Sequence, residues 1–315
     1  MKLKTLIAGA AMAATMAFSA TAQAEDWAPS GPLNLQIGFG AGGETDTLGR
    51  IVGKALAEQT GWNVVVENKP GGGGIAMFTG ISVAPADGSV IGLGVNIPVI
   101  INLIQRGDQL PFTVDSFDYL GTVTNAQLAL IAPASAPYNN VDELVAASKK
   151  QGGINVAFDA KTQELIMRSI NSQSDAGLVP LATKSSSEQI QMILGGQAGA
   201  AFTAGNQIPY IESGDVKLLA SANETRHNYA PDVPTLIEQG YDVAVDPYFY
   251  FAAPKGLPEN VKSALVKALD TAIQSDEVKT AVQNALKTDV RNLGPEGTRE
   301  SFTRGLERFK KLLAN

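Results

Sequence analysis

The densest group of residues that could do chemistry is a glycine-rich loop at residues 38–46, Gly-Phe-Gly-Ala-Gly-Gly-Glu-Thr-Asp. Alternating apolar residues before it predict a strand, and Leu48 to Leu56 after it have helical spacing. Glycines let a backbone turn tightly and approach a ligand, while the free amides at a helix N-terminus attract negative charge. We therefore predict that this loop binds an oxyanion.

Two other interpretations of the loop stay open. It could be an ordinary turn in which Thr45 or Asp46 only caps the helix. It also has the dinucleotide fingerprint spacing at Gly38, Gly40 and Gly43, with the acidic Glu67 further on. An exported dinucleotide-binding oxidoreductase is therefore the alternative function. We disfavour it because no acid or base for hydride chemistry can be nominated.

Export is predicted from residues 1–24. Lys2 and Lys4 precede an apolar stretch, and Ala22-Gln23-Ala24 follows it, which is typical of a secretory signal peptide cleaved before Glu25. No cysteine follows as a lipid anchor site, and no twin arginine precedes the apolar stretch. The sequence thus predicts a periplasmic protein that crosses the membrane without a preloaded cofactor.

Composition excludes several classes of function. Removal of Lys2 and Lys4 would change the formal charge from −7 to −9, which repels nucleic acid. With no cysteine and one histidine, thiolate nucleophiles, iron–sulfur clusters and multi-histidine zinc sites are impossible. That histidine, His227, lies in a polar stretch without a serine-hydrolase elbow, so we predict a surface residue. We predict no catalytic residue, no metal and no cofactor.

The order of the predicted elements indicates an α/β protein. Short apolar strands alternate with amphipathic helices up to a strand at residues 248–253, and residues 258–315 are nearly all helical. Alternation at this spacing predicts mainly parallel sheets flanked by helices. No linker rich in Pro, Gly or Ser separates two halves, which favours lobes joined by several strand crossings.

Further motifs follow the loop in collinear order over the predicted mature chain. They are Val-Val-Glu-Asn-Lys-Pro-Gly-Gly-Gly-Gly at 65–74, Leu-Gly-Gly-Gln at 194–197, Pro-Asp-Val-Pro-Thr at 231–235 and Ala-Pro-Lys-Gly-Leu-Pro at 253–258. With the loop and Arg50, they make the chain resemble the periplasmic solute-binding receptors of tripartite tricarboxylate transporters, the TctC or Bug family.

This resemblance implies a two-lobed periplasmic binding protein fold, a type II-like venus flytrap. Lobe 1 would comprise residues 25–123 and 247–315, and lobe 2 residues 124–246. Such a receptor is expected to be a monomer. It closes on a small di- or tricarboxylate, or an aromatic acid, and passes this ligand to the transporter's membrane subunits. The family's first-lobe loop wraps a carboxylate with backbone amides, a role that carries over to Phe39, Ala41, Gly42, Gly43, Thr45 and Asp46. Asp46, being acidic, is expected to orient amides or water.

The second lobe departs from the family pattern. Where relatives have small donors, residues 154–163 read Ile-Asn-Val-Ala-Phe-Asp-Ala-Lys-Thr-Gln. The Lys161 ammonium could pair with a second carboxylate as a point charge, or it could be solvated at a helix start. The predicted second-lobe ligand residues are Asp159, Lys161, Thr162, Ser185 and Thr203.

Two further candidates lie on predicted strands. Asn96 follows the third strand, where α/β proteins place ligand contacts, although a turn-forming Asn before Pro98 is equally consistent. Tyr248 opens an aromatic run whose members could line the cleft or pack in a sheet. Relatives mostly have Gly at the position of Tyr250, which makes that residue a candidate specificity determinant.

Overall fold

The computed structural model describes residues 27–314, so the predicted signal peptide lies outside the described residues. The described chain forms two five-stranded sheets with helices on their faces. The strands are β1 (Leu33–Ile37), β2 (Val64–Asn68), β3 (Val90–Val95), β4 (Phe117–Asn125), β5 (Leu128–Pro133), β6 (Ile154–Phe158), β7 (Leu178–Ala182), β8 (Ala200–Ala204), β9 (Val216–Ser221) and β10 (Tyr248–Pro254).

Ten α-helices accompany these strands. They are α1 (Glu44–Thr60), α2 (Ile75–Ser82), α3 (Asn96–Arg106), α4 (Val141–Gln151), α5 (Lys161–Ser174), α6 (Ser186–Leu194), α7 (Ile208–Glu212), α8 (Glu259–Gln274), α9 (Asp276–Leu286) and α10 (Gly294–Ala314). Within residues 27–314, none of the helices is both long and apolar enough to cross a membrane.

Local sequence explains the strand β1 and the helix α1, which flank the glycine-rich loop. In β1 the apolar residues Leu33, Leu35 and Ile37 are fully buried and alternate with partly buried ones, as one buried sheet face requires. Helix α1 ends where the Gly61 amide donates to the Ala57 carbonyl, with Gly61 in the left-handed region at φ +73°.

The sheets have the orders β2-β1-β3-β10-β4 and β7-β6-β8-β5-β9. Strand β1 is parallel to β2 and β3, whereas β10 is antiparallel to β3 and β4. In the second sheet, β6 is parallel to its neighbours and β5 is antiparallel to β8 and β9. The two-lobed α/β fold is confirmed, but both sheets are mixed and not mainly parallel.

The physical reason for the mixed sheets is the route of the chain. It leaves the first sheet after Asn125 and returns at Tyr248, so β10 enters that sheet in the opposite direction to β3. The crossing segments are joined by the Ala126 amide, which donates to the Pro247 carbonyl at 2.8 Å. The lobe boundaries at 123/124 and 246/247 stay a prediction.

Tyr250 lies in the core of the first lobe, not in a ligand cleft. Its ring is 1% exposed, stacks on Phe78 at 5.2 Å between centroids and meets Phe302 edge-on at 4.8 Å. Helices α2 and α10, which carry Phe78 and Phe302, cover this side of β10. The interpretation of Tyr250 as a specificity determinant is therefore wrong.

His227 is buried at 3% exposure, so the prediction of a surface residue is also wrong. Its ring nitrogens form hydrogen bonds with the Tyr229 hydroxyl at 2.8 Å and the Asn223 amide oxygen at 3.0 Å. Burial lowers the pKa of His227 to about 4, so the ring is neutral at pH 7. The polar sequence around it hid this burial because its partners are themselves polar and satisfy one another inside the fold.

Candidate functional site

The loop at residues 38–46 joins β1 to α1 and contacts the second lobe. The Gly40 amide donates to the Lys184 carbonyl at 3.1 Å, and the Ser187 hydroxyl donates to the Gly42 carbonyl. Ser187 lies in the first turn of α6, and Lys184 lies two residues before this helix begins. The loop is thus part of the contact between the lobes.

Close approach explains the glycines of this loop. A Cβ on Gly40 would lie 3.0 Å from the Lys184 carbonyl oxygen, and one on Gly42 would lie 2.9 Å from the Ser187 hydroxyl. Gly42 also has φ +78°, which side chains rarely adopt. Because the Gly40 and Gly42 amides bind protein acceptors in this arrangement, wrapping of an anion by the loop remains a prediction.

The Asp46 carboxylate holds the backbone of the loop at residues 38–46 in place through hydrogen bonds. Its carboxylate accepts hydrogen bonds from the Gly42 amide at 2.9 Å, Arg50 Nε at 3.0 Å and Asn68 Nδ2 at 2.8 Å. Burial alone would raise the pKa of Asp46, but these hydrogen bonds and the Arg50 charge outweigh it and hold the pKa below its usual value. The carboxylate is therefore ionised at neutral pH and positions the loop backbone.

A cavity of about 50 Å³ lies between the lobes, next to this loop. Phe39 and Phe249 form part of its apolar wall, and its polar lining consists of Glu44, Thr45, Asp159, Thr162, Gln163 and Ser186. A larger cavity of about 350 Å³ adjoins it, shares Phe39 and Asp159, and is bounded by the glycines at 71–73 and by Lys184. We call the two together the interlobe cleft.

Four helices begin at the inner cavity. Its lining includes residues from the first turns of α1, α3, α5 and α6, namely Thr45, Pro98, Thr162 and Ser186. Each helix N-terminus carries partial positive charge and amides without an intrahelical acceptor. Their convergence makes the cleft suited to an anion even though the chain carries net negative charge.

The structure brings four of the predicted ligand residues into the inner cavity: Phe39, Thr45, Asp159 and Thr162. Lys161 does not line it, and its ammonium pairs with Glu164 at 2.7 Å. Ser185 caps α6 by accepting from the Glu188 amide at 3.3 Å, and the next residue, Ser186, lines the cavity in its place.

The other predicted residues do not line the interlobe cleft. Ala41 is exposed, Gly43 packs against Ser186, and Thr203 is fully buried in β8. The Asn96 side-chain oxygen accepts from the Tyr248 amide at 2.9 Å, so this pair ties the start of α3 to the start of β10. The Tyr248 ring lies 5.8 Å from the Arg291 guanidinium.

The principal residue missed by sequence reasoning is Glu44. It is 2% exposed, lines the inner cavity, and neither carboxylate oxygen has a hydrogen-bond partner among the described residues. Burial, and then the charge of Asp159, raise its pKa well above the usual value. Burial likewise raises the pKa of Asp159 to about 6. The only signal for Glu44 in the sequence was an acidic residue within the glycine loop, directly before Thr45.

These two carboxyls predict that the ligand-free protein loses stability as the pH rises. Since their pKa values are raised by folding, the folded chain retains protons that the unfolded chain releases above about pH 4. Their stabilising contribution is full below that pH and is lost as the pH rises through about 6 and beyond. Each pKa unit corresponds to about 1.4 kcal/mol of unfolding free energy.

Urea unfolding of the wild type and of Glu44→Gln, from pH 4.5 to 7.5, measures this effect. The variant should lose less stability over this range and should be the more stable protein at pH 7.5. Equal pH dependence in the two proteins would contradict the raised pKa of Glu44.

Within the described residues, no group of three or more His, Cys, Asp or Glu could hold a metal ion.

Comparison with known proteins identifies the family. The family described as the tripartite tricarboxylate transporter family receptor matches residues 48–293. A UPF0065 protein in the gbd 5' region of Cupriavidus necator is 29% identical over 268 residues, covering 81% of this chain and 79% of that protein. The solved structure of the periplasmic binding protein BugD is 27% identical, with a TM-score of 0.83 over 91% of this chain and 98% of that chain.

A further solved structure resembles this chain in fold. MatC from Rhodopseudomonas palustris, solved with bound malate, is 21% identical, with a TM-score of 0.80 over 90% of this chain and 99% of that chain. These matches confirm the resemblance inferred from the motifs. The chain therefore belongs to the tripartite tricarboxylate transporter receptor family, with the two-lobed fold of its periplasmic solute-binding proteins.

Proposed function

We propose that this protein is a periplasmic receptor that binds a small organic carboxylate in the interlobe cleft and does no chemistry on it. The observation that carries the proposal is the convergence of four helix N-termini on a cavity between two lobes. Relatives support it, since the MatC structure contains malate. A monomer with a cleft of this kind can exchange open and closed forms, and the ligand favours the closed one.

The contacts between the lobes describe how closure would work. The loop at 38–46 docks on the start of α6 through hydrogen bonds made by Gly40 and Gly42. A carboxylate held by amides of both lobes would add its binding energy to these contacts. We propose that membrane subunits of a tripartite tricarboxylate transporter recognise this closed form and receive the ligand.

The alternative dinucleotide function finds less support in the geometry. Of the fingerprint glycines, Gly38 and Gly40 donate their amides to the Leu93 and Lys184 carbonyls. Close contact of the loop with Ser185 to Ser187 also leaves little space for a pyrophosphate. We therefore propose that the glycines of the loop serve the contact between the lobes.

Thermal unfolding with a panel of mono-, di- and tricarboxylates tests this function. An acid present at about 100 times its Kd should stabilise the protein by about 2.7 kcal/mol and raise the Tm by several degrees. Sodium chloride at equal ionic strength is the control for salt effects. A Tm raised by NAD and by none of the acids would contradict the proposal.

A further inference from the structure

Two acidic side chains from opposite lobes line the inner cavity. Glu44 is the first residue of α1, and Asp159 directly follows β6. Each lines the inner cavity from its own lobe, and the charge of Asp159 contributes to the raised pKa of Glu44. A cavity for a simple dicarboxylate does not need two acids in its wall, so this pair requires a separate explanation.

The Glu44 side chain is buried without a hydrogen-bond partner among the described residues. Its carboxylate is 2% exposed, and both of its oxygens lack a hydrogen-bond partner within residues 27–314. It packs against Gly205, where an added Cβ would lie 2.6 Å from Oε1. Thr162, which lines the same cavity at 3% exposure, also has an unpartnered hydroxyl. Buried acceptors of this kind are costly unless something donates to them.

The charges around Glu44 do not neutralise it. Asp159 has the same sign, Tyr229 is a neutral phenol whose pKa is raised by burial, and His227 beside Tyr229 is neutral. Among the described cations, Arg50 binds Asp46 and Lys161 binds Glu164. Lys184 borders the outer cavity beside Asp159 and does not line the inner cavity with Glu44. A proton or a cationic group of the ligand must therefore compensate Glu44.

We propose that Glu44 and Asp159 form the binding subsite for an ammonium group of the solute, which is then an amine-bearing carboxylic acid. This inference rests on the proposed receptor function and specifies its substrate class. An ammonium has three N–H donors, which Glu44, Asp159 and the Thr162 hydroxyl can accept. The converging helix N-termini hold the carboxylate of the same molecule. Calcium suits the site less, because it takes six to eight oxygen ligands.

Matched pairs of acids test the subsite by calorimetry at pH 7.5: L-glutamate with glutarate, L-aspartate with succinate, and 4-aminobutyrate with butyrate. The wild type should bind the amine-bearing member of at least one pair about tenfold more tightly or better, because a buried charge pair is strong. Glu44→Gln should reduce that preference at least about tenfold, and Asp159→Asn should reduce it independently. Glu58→Gln, an exposed acid on the same helix, is the matched control and should leave it unchanged.

The pH dependence separates this proposal from its competitor, a protonated Glu44 that donates to a ligand carboxylate. Loss of protons from Glu44 and Asp159 between pH 5 and 8 should strengthen binding of the amine-bearing acid. Binding of a dicarboxylate that weakens over this range, or absence of an amine preference in every pair, would overturn the subsite. Tight binding of the amine-free acids alone would still leave the receptor function intact, whereas a response to NAD alone would remove both.

Discussion

Replacing Gly42 with valine is expected to weaken carboxylate binding about 30-fold while the protein still folds. The Cβ would lie 2.9 Å from the Ser187 hydroxyl, across the contact between the lobes. Loss of the hydrogen bond from Ser187, together with the steric conflict, would destabilise the closed form by about 2 kcal/mol. In the proposed receptor mechanism the ligand binds the closed form, so a smaller closed fraction appears directly as a weaker apparent affinity.

Calorimetry with the best-binding acid of the carboxylate panel measures this effect, and Gly61→Val provides the control. Gly61 follows the C-terminus of α1, the helix that the loop precedes. Its φ of +73° is close to the +78° of Gly42, but no atom lies within 4 Å of a Cβ added to Gly61. Both variants carry backbone strain of about 1–2 kcal/mol, whereas only Gly42→Val obstructs the second lobe. Equal affinities in the two variants would show that the loop contact plays no part in binding.

Asp46→Ala is expected to lower the free energy of unfolding by about 2–4 kcal/mol, because hydrogen bonds to a charged group contribute about 1.5–3 kcal/mol each and partners re-solvate in part. The variant loses the acceptor for the Gly42 amide, Arg50 and Asn68. The loop should then be less ordered, and ligand affinity should fall together with stability. Urea unfolding and calorimetry on the same variant measure the two effects.

The pH dependence gives this prediction a second test. Because folding lowers the pKa of Asp46, its contribution is present above the unfolded pKa near 4 and is lost as the pH falls through the folded value. The wild type should therefore lose more stability in acid than Asp46→Ala does. Glu58→Ala, an exposed substitution on the same helix, should leave stability within about 0.5 kcal/mol. A similar small loss in Asp46→Ala would contradict the organising role.

Local patterns in the sequence determined most of the elements. The strand predicted at residues 248–253 is observed as Tyr248–Pro254, and residues 258–315, predicted to be nearly all helical, contain α8, α9 and α10. Strand β4 lacks such a local signal, because Phe117–Asn125 is buried on nearly its whole length and its burial does not alternate. The antiparallel entry of β10 depends on the path of residues 222–247, which no local pattern encodes.

The candidate site divides in the same way. The sequence by itself determined the glycine loop and the resemblance to the family. That resemblance guided the choice of Phe39, Thr45, Asp159 and Thr162 as ligand residues, and all four line the inner cavity. The sequence could not determine which side chains face inward. Tyr250 and His227 are buried through contacts with Phe302 and Asn223, more than 50 residues and four residues away respectively, and each contact needs the folded chain.

Only the tertiary structure decided the roles of the charged residues. From the sequence, Glu44, Asp159 and Lys161 are all plausible ligand contacts, but packing of the lobes buries Glu44, leaves Asp159 half-buried and places Lys161 beside Glu164. Desolvation depends on every element that surrounds a group, so the sequence alone does not reveal it. The glycines of the loop at 38–46 predicted a binding element, and the opposing lobe decided which of the loop residues line the inner cavity.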